Sequence, residues 1–249
     1  MKFLALIPAR YASSRFPGKP LAEIDGKPMI QRVYERTRQV FDACWVATDD
    51  QRIEQAVKAF GGQVVMTSDA HRSGTDRCAE ALDKVETLTG EPYDVVVNVQ
   101  GDEPFIAYEH LTTIRSLFDR PDTQIATLVK RFGADEDIFN PNSPKVVVSA
   151  AGEALYFSRS VIPYIRNAAR EEWPQSHPFY KHIGLYAYRA ETLRAITRLP
   201  QGTLEKAESL EQLRWLENGY RIAVGLTEAE TVAVDTPEDL QRAIELLSE

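Results

Sequence analysis

The run Phe3-Leu4-Ala5-Leu6-Ile7 carries no polar side chain. A short stretch that is apolar on both of its alternating faces needs cover on both sides, which is the situation of a strand inside a parallel sheet. The run predicts a first strand over 3–7, ended by Pro8. A loop of small residues with three separated cations follows, Arg10, Arg15 and Lys19, before helical spacing resumes near Met29. A buried strand that opens into such a loop ahead of a helix suits an anion. Backbone N–H groups and a helix N-terminus face the charge, and the cations add to the attraction. The loop has neither the G-x-G-x-x-G nor the G-x-x-x-x-G-K-[ST] spacing. On residues alone it is either a phosphate cradle of another kind or a solvated loop with ordinary surface cations.

The alternation continues. Trp45–Ala47, Val64–Met66 and Asp94–Val99 read as further strands. Met29–Val40, Gln51–Phe60 and Thr75–Leu88 have helical spacing, the second stopped by Gly61-Gly62. Strands alternating with helices predict an α/β fold, a mostly parallel, Rossmann-like sheet flanked by helices. Ligands of such sheets bind outside the carboxyl ends of the strands. Three of those ends are polar: Ala9-Arg10, Thr48-Asp49-Asp50 and Gln100-Gly101-Asp102. The middle differs. Gln124–Val129, Lys145–Ser149 and Ile183–Tyr188 read as strands joined by longer, Pro-rich connections, with loops at Asn140–Pro144 and Trp173–Pro178. This predicts a smaller, partly antiparallel section, 125–190, inserted in a single domain of 1–249. A helix over Ser209–Glu217, a strand over Arg221–Val224 and a helix from Pro237 complete the chain. Thr236 is placed to cap that helix, with Pro237 first and Glu238 and Asp239 in the first turn.

A chain of 249 residues with 43% hydrophobic content builds an ordinary core without a metal or disulfide staple. The net charge of −8 argues against a nucleic-acid binder, but a local cationic loop still accommodates an anion. Cys44 and Cys78 have no zinc spacing and read as reduced thiols of a cytoplasmic protein, Cys44 as a buried structural one. No apolar stretch is long enough to span a membrane, and no signal-peptide pattern is present.

Other residues point to chemistry. Asp102 follows a buried strand and a Gly, a position that suits a hard cation such as magnesium, although a turn or capping Asp looks the same. Asp235, in Val234-Asp235-Thr236-Pro237, reads first as part of a helix start. Ser73 or Thr75 is placed to cap the helix that follows. His182, taken alone, reads as a structural histidine, and Glu211 as a helix-surface charge.

The run from Pro8 to Leu21, Pro-Ala-Arg-Tyr-Ala-Ser-Ser-Arg-Phe-Pro-Gly-Lys-Pro-Leu, resembles the opening signature of the bacterial CMP-Kdo synthetases. These are the 3-deoxy-manno-octulosonate cytidylyltransferases, Kdo being the acid sugar. Ser73-Gly74-Thr75-Asp76-Arg77, Asn98–Pro104, His182-x-Gly184-x-Tyr186 and Val234–Leu240 extend the resemblance over essentially the whole chain. It implies a nucleotidyltransferase sheet whose 125–190 section binds the sugar and dimerises. The implied reaction is CTP plus Kdo giving CMP-Kdo and diphosphate, for lipopolysaccharide biosynthesis, with magnesium as cofactor and a cytoplasmic homodimer as the working form. Carried onto this sequence, Arg10 and Lys19 hold the triphosphate, while Pro8, Ala9, Ser73 and Gly74 contact the nucleotide. Asp102 and Asp235 bind magnesium and, with Arg10 and Lys19, make the catalytic set. Arg15, Arg77, Gln100, His182, Tyr186 and Glu211 hold the acid sugar, Arg77 through its carboxylate, because a guanidinium fork pairs two oxygens. Ala154–Arg159 also matches, as packing near the sugar. The alternatives are a cytidylyltransferase for 8-amino-Kdo or sialic acid, and a non-catalytic nucleotide sensor on the same fold. The continuous Arg10–Arg15 and His182–Tyr186 segments favour Kdo over sialic acid, and the presence of both metal acids speaks against a sensor.

Overall fold

The computed structural model of the chain describes residues 1–12, 16–230, 234 and 236–245. Its elements are, in order, β1 (Phe3–Ala9), β2 (Glu23–Ile24), β3 (Lys27–Pro28), α1 (Met29–Thr37), β4 (Ala43–Thr48), α2 (Gln51–Ala59) and β5 (Val64–Met66). Next come α3 (Gly74–Thr89), β6 (Val95–Asn98), α4 (Tyr108–Ser116), β7 (Ile125–Arg131), β8 (Lys145–Val148), β9 (Ala154–Ser158), α5 (Trp173–Ser176) and β10 (Tyr180–Arg189). The chain ends with α6 (Ala190–Ile196), α7 (Thr203–Glu208), α8 (Gln212–Glu217), β11 (Ile222–Leu226) and α9 (Pro237–Glu245). They divide into two compact units, one of residues 1–112, 187–197 and the chain from 230, the other of 113–186 and 198–229.

In the first unit, β6, β1, β4 and β5 lie side by side in that order, all parallel. Leu6 of β1 stands opposite Trp45 on one side and Asn98 on the other. Leu4, Ala5, Leu6, Ile7, Val46, Ala47 and Val95 to Val97 have no exposed surface, as strands covered on both faces require. The helices supply the cover. α3 buries Cys78, Ala81, Leu82 and Val85, and α1 buries Met29, Ile30 and Val33, in each case a single apolar stripe at helical spacing. Ser73 caps α3 and Gly90 ends it in the left-handed region. Thr236 caps α9 reciprocally: its Oγ1 accepts the Asp239 N–H at 3.2 Å and the Asp239 carboxylate accepts the Thr236 N–H at 3.0 Å.

The chain runs outward from β1 through β4 to β5 and then returns to β6, on the other side of β1. That reversal opens a crevice between the carboxyl ends of β1 and β6. Pro8 does not end β1, contrary to expectation: the strand continues to Ala9, with Pro8 opposite Ala47 and Ala9 opposite Thr48. The Leu6 carbonyl accepts the Val99 N–H at 2.9 Å on the β6 side. Two residues on, the backbone of Pro8 points to that same side, beyond Asn98 where β6 has ended. Its missing N–H therefore removes no ladder bond.

In the second unit, β7 pairs in parallel with β11 and lies between β11 and β10, while β8 runs antiparallel to both β9 and β10. Three features differ from the expectations. Ala154–Ser158 is a strand. The segment read as a loop from Trp173 contains the short helix α5, with Pro174 in its first turn and Trp173 buried against Ile138 and Phe179. The helix read over Ser209–Glu217 starts only at Gln212, because Ser209 takes φ 52° and separates α7 from α8.

Leu6→Ala removes a fully buried side chain from the central strand. It is expected to cost about 2–5 kcal/mol, seen as a lower urea midpoint at unchanged slope. An unchanged midpoint would contradict the place of β1 in the core.

Candidate active site

The crevice at the end of β1 forms a cavity of about 250 Å³. Pro8, Ala9 and Arg10 come from the end of β1; Lys19 and Pro20 from the loop beyond it; His71, Arg72, Ser73, Gly74 and Arg77 from the start of α3; and Gln100, Gly101 and Asp102 from the turn after β6. Four cations and one carboxylate line this space, so the local charge opposes the net charge of −8.

Glycine is required at two points. Gly18 has φ 73° and donates its N–H to the Tyr11 carbonyl at 2.9 Å, closing the loop that delivers Lys19. At Gly101, a Cβ would lie 2.9 Å from the Pro8 carbonyl oxygen, so only glycine lets the turn after β6 approach the end of β1 this closely. The loop beyond β1 meets the turn after β6 in an ion pair, Lys19 Nζ to Asp102 Oδ2 at 2.7 Å. Beside it, burial and then the Asp102 charge push the Glu103 carboxyl up to about 7.

Arg77 and His71 are held as well. Arg77 is 3% exposed. Its guanidinium donates to Asp49 Oδ2 at 2.8 Å and to Thr67 Oγ1 at 2.6 Å, tying α3 to the residues just beyond β4 and β5. Ser73 Oγ accepts the Asp76 N–H at 3.1 Å. His71 pairs with Glu80, which also accepts the Ser68 N–H at 2.9 Å and the Lys84 ammonium at 2.7 Å. Against the opposing desolvation, the bonds from Lys84, Ser68 and His71 hold the Glu80 carboxyl down to about 2.

Of the residues singled out in the sequence, Pro8, Ala9, Arg10, Lys19, Ser73, Gly74, Arg77, Gln100 and Asp102 line this one cavity. His182, Tyr186 and Glu211 belong to the second unit. There His182 packs against Phe157 and Tyr186 with ring centroids at 5.3 and 5.2 Å, and Tyr186 meets Trp215 at 5.1 Å. Burial pushes the His182 imidazole down to about 4. The Glu211 carboxylate accepts from Arg214 at 3.0 Å. Arg15 and Asp235 lie outside the described residues. Their neighbours do not all: Val234 is fully buried and donates its N–H to the Asp102 carbonyl at 2.9 Å.

A family model described as cytidylyltransferase matches residues 4–222. The chain is 66% identical to the 3-deoxy-manno-octulosonate cytidylyltransferase of Parabacteroides distasonis, over 100% of this chain and 99% of that one. The chain belongs to the 3-deoxy-manno-octulosonate cytidylyltransferase family. Identity to the Bacteroides thetaiotaomicron protein of the same name is 61%, over 99% of this chain and 98% of that one. A solved structure of a CMP:2-keto-3-deoxy-manno-octonic acid synthetase complexed with CTP matches with a TM-score of 0.90 and 46% identity, covering 100% of this chain and 99% of that chain. The resemblance read from the Pro8–Leu21 signature is thus a family relationship, and the α/β nucleotidyltransferase architecture comes with it.

The sequence reading missed Pro20, His71, Arg72 and Gly101 as lining residues, and Asp49 and Thr67 as partners of Arg77. Asp49 stood in a strand-end segment already marked as polar, and His71 stands two residues before Ser73. Neither spacing named a partner, because both contacts join separate elements.

Gly101→Ala sets its new methyl against a backbone oxygen rather than a side chain that swings away. Overpacking of this kind costs about 1–3 kcal/mol. Held at the crevice, that cost is expected to weaken CTP binding about tenfold, measured by titration calorimetry, with the fold retained. Equal affinity of variant and parent would show that the close approach of Pro8 and Gly101 is dispensable.

Proposed function

We propose that the chain activates Kdo, joining it to the cytidylyl group of CTP to give CMP-Kdo and diphosphate. The observation that carries this reading is the cavity at the β1–β6 crevice. It gathers Arg10, Lys19, Ser73, Gly74, Gln100 and Asp102 in a chain of this family. The anomeric hydroxyl of Kdo attacks the α-phosphate of CTP in line, and diphosphate leaves. Such a transfer asks little covalent chemistry of the protein; positioning and neutralisation of charge lower the barrier.

Each group has a part. Arg10 and Lys19 hold the triphosphate. The end of β1 at Pro8 and Ala9 and the start of α3 at Ser73 and Gly74 hold the nucleoside. Gln100 contacts the sugar from the turn after β6, and Arg15, His182, Tyr186 and Glu211 complete the sugar contacts. Arg77 takes part by sharing its guanidinium, which Asp49 already engages.

Magnesium fits the donors at this turn. Among the described residues no group of three His, Cys, Asp or Glu side chains gathers at one point. Magnesium does not require one, since it is held by one or two carboxylates together with substrate phosphates. Asp102 offers a hard oxygen at the cavity, and Asp235 is the second carboxylate we assign to it. In support, Val234, the residue before Asp235, hydrogen-bonds the backbone of Asp102. When bound, magnesium neutralises phosphate charge and lowers the pKa of a coordinated hydroxyl.

Among the described residues no helix is long and apolar enough to cross a membrane. We take the working form to be a cytoplasmic homodimer that serves lipopolysaccharide biosynthesis, its 125–190 section binding sugar and partner.

Diphosphate release with CTP and magnesium, measured in parallel with Kdo, 8-amino-Kdo and N-acetylneuraminate, is expected to run well ahead with Kdo. Release with another acid alone would reassign the sugar, and CTP binding without release would favour a sensor. Asp102→Asn is expected to lower kcat at least about a hundredfold while thermal unfolding stays close to the parent. A kcat equal to the parent's would remove Asp102 from the mechanism.

A further inference from the structure

Thr127 lies in β7 with no exposed surface. Its Oγ1 has three close neighbours: the Leu185 carbonyl at 2.9 Å, the Ile183 carbonyl at 3.2 Å and His182 Nε2 at 3.0 Å. A hydroxyl has one hydrogen to give. The two carbonyl oxygens present only lone pairs, so that hydrogen goes to one of them or is shared between them; given to the imidazole instead, it would leave both carbonyls facing an oxygen lone pair in a buried place. Oγ1 then meets His182 as an acceptor, and Nε2 must carry a hydrogen.

We propose that Thr127 is a positioning residue which fixes His182 as the Nε2–H tautomer and leaves Nδ1 as a hydrogen-bond acceptor for a hydroxyl of the acid sugar. The proposal rests on the reading that His182 contacts that sugar. The ring has little freedom to exchange its two nitrogens. Phe157 stands edge-on to it at 85°, Tyr186 lies beside it, and the His182 backbone N–H is held by the Pro144 carbonyl at 2.9 Å. The imidazole is neutral at neutral pH, its pKa pushed down to about 4 by burial, so one ring nitrogen is bare and its identity has consequences. A bare Nδ1 accepts from a hydroxyl and repels a carboxylate, which offers only lone pairs. His182 therefore reads the hydroxylated part of the sugar and leaves the carboxylate to the arginines.

The test uses the full chain labelled with ¹⁵N-histidine, without ligand. Long-range ¹H–¹⁵N spectra distinguish the two tautomers, and with four histidines in the chain the His182 signals are assigned by their loss in His182→Gln. The expected parent pattern is Nε2–H. Thr127→Ser keeps the pattern and the Kdo KM. Thr127→Val loses the pattern and raises the Kdo KM about tenfold, with the CTP KM unchanged. An Nδ1–H pattern in the parent overturns the proposal, and this outcome needs no variant to fold. A folded Thr127→Val with parental tautomer and Kdo KM also overturns it. If instead His182→Gln leaves the Kdo KM untouched, the sugar-contact reading fails, and the tautomer result distinguishes that failure from failure of the Thr127 lock.

Discussion

The first unit depends on a strand that water cannot reach from either face. β1 has β4 on one side and β6 on the other, and Leu4 to Ile7 are fully buried. Such a strand leaves its backbone accessible only at its ends. The carboxyl end of β1 lies where the strand order reverses, so the two neighbouring connections part and open the crevice. The cavity is a consequence of the order in which the strands are laid down. Arg10 reaches it because it follows this strand directly, and Lys19 because the turn at Gly18 returns the chain toward Tyr11.

A cluster of cations needs a reason not to disperse. Here two of the cations at the cavity, Lys19 and Arg77, are held by partners from separate parts of the chain. Lys19 meets Asp102, and Arg77 meets Asp49 and Thr67; His71 meets Glu80 at the edge of the same space. For buried and partly buried pairs such as these the attraction largely offsets the cost of desolvation, so their value is mainly geometric. Groups already oriented lose less freedom when an anion arrives, which is the general advantage of a preorganised polar site. The approach of the turn that carries Asp102 to the end of β1 depends on the absence of a side chain at Gly101.

The second unit uses a different economy of charge. His182 sits among Phe157, Tyr186 and the Thr127 hydroxyl and stays neutral because burial disfavours the imidazolium. A neutral imidazole keeps one donor and one acceptor, so it can report the direction of a partner's hydrogen bond. Nearby, Arg214 and Glu205 form a buried pair at 3.1 Å, which fixes the start of α8 and with it Glu211. Fixed dipoles and paired charges, rather than a net field, define the polar character of this unit.

The sequence by itself determined the parallel α/β alternation. It also supplied the strand ends that bear function, and nine residues that line one cavity. These follow from local regularities: apolar runs need two-sided burial, glycines stop helices, and a family signature marks the first loop. What only the tertiary structure decided are relations between distant segments. Pro8 could extend β1 because β6 had already ended beside it. Ala154–Ser158 became a strand because β8 offered an antiparallel edge. Ser209 broke a helix that its spacing permitted, by taking a left-handed backbone. The partners of Arg77 and His182 come from segments that are separate in sequence, the residues just beyond β4 and β5 for one and β7 for the other. Periodicity states which face of an element is buried, but which hydrogen bonds close there depends on strand order and register, and those are set by the packing of the whole unit.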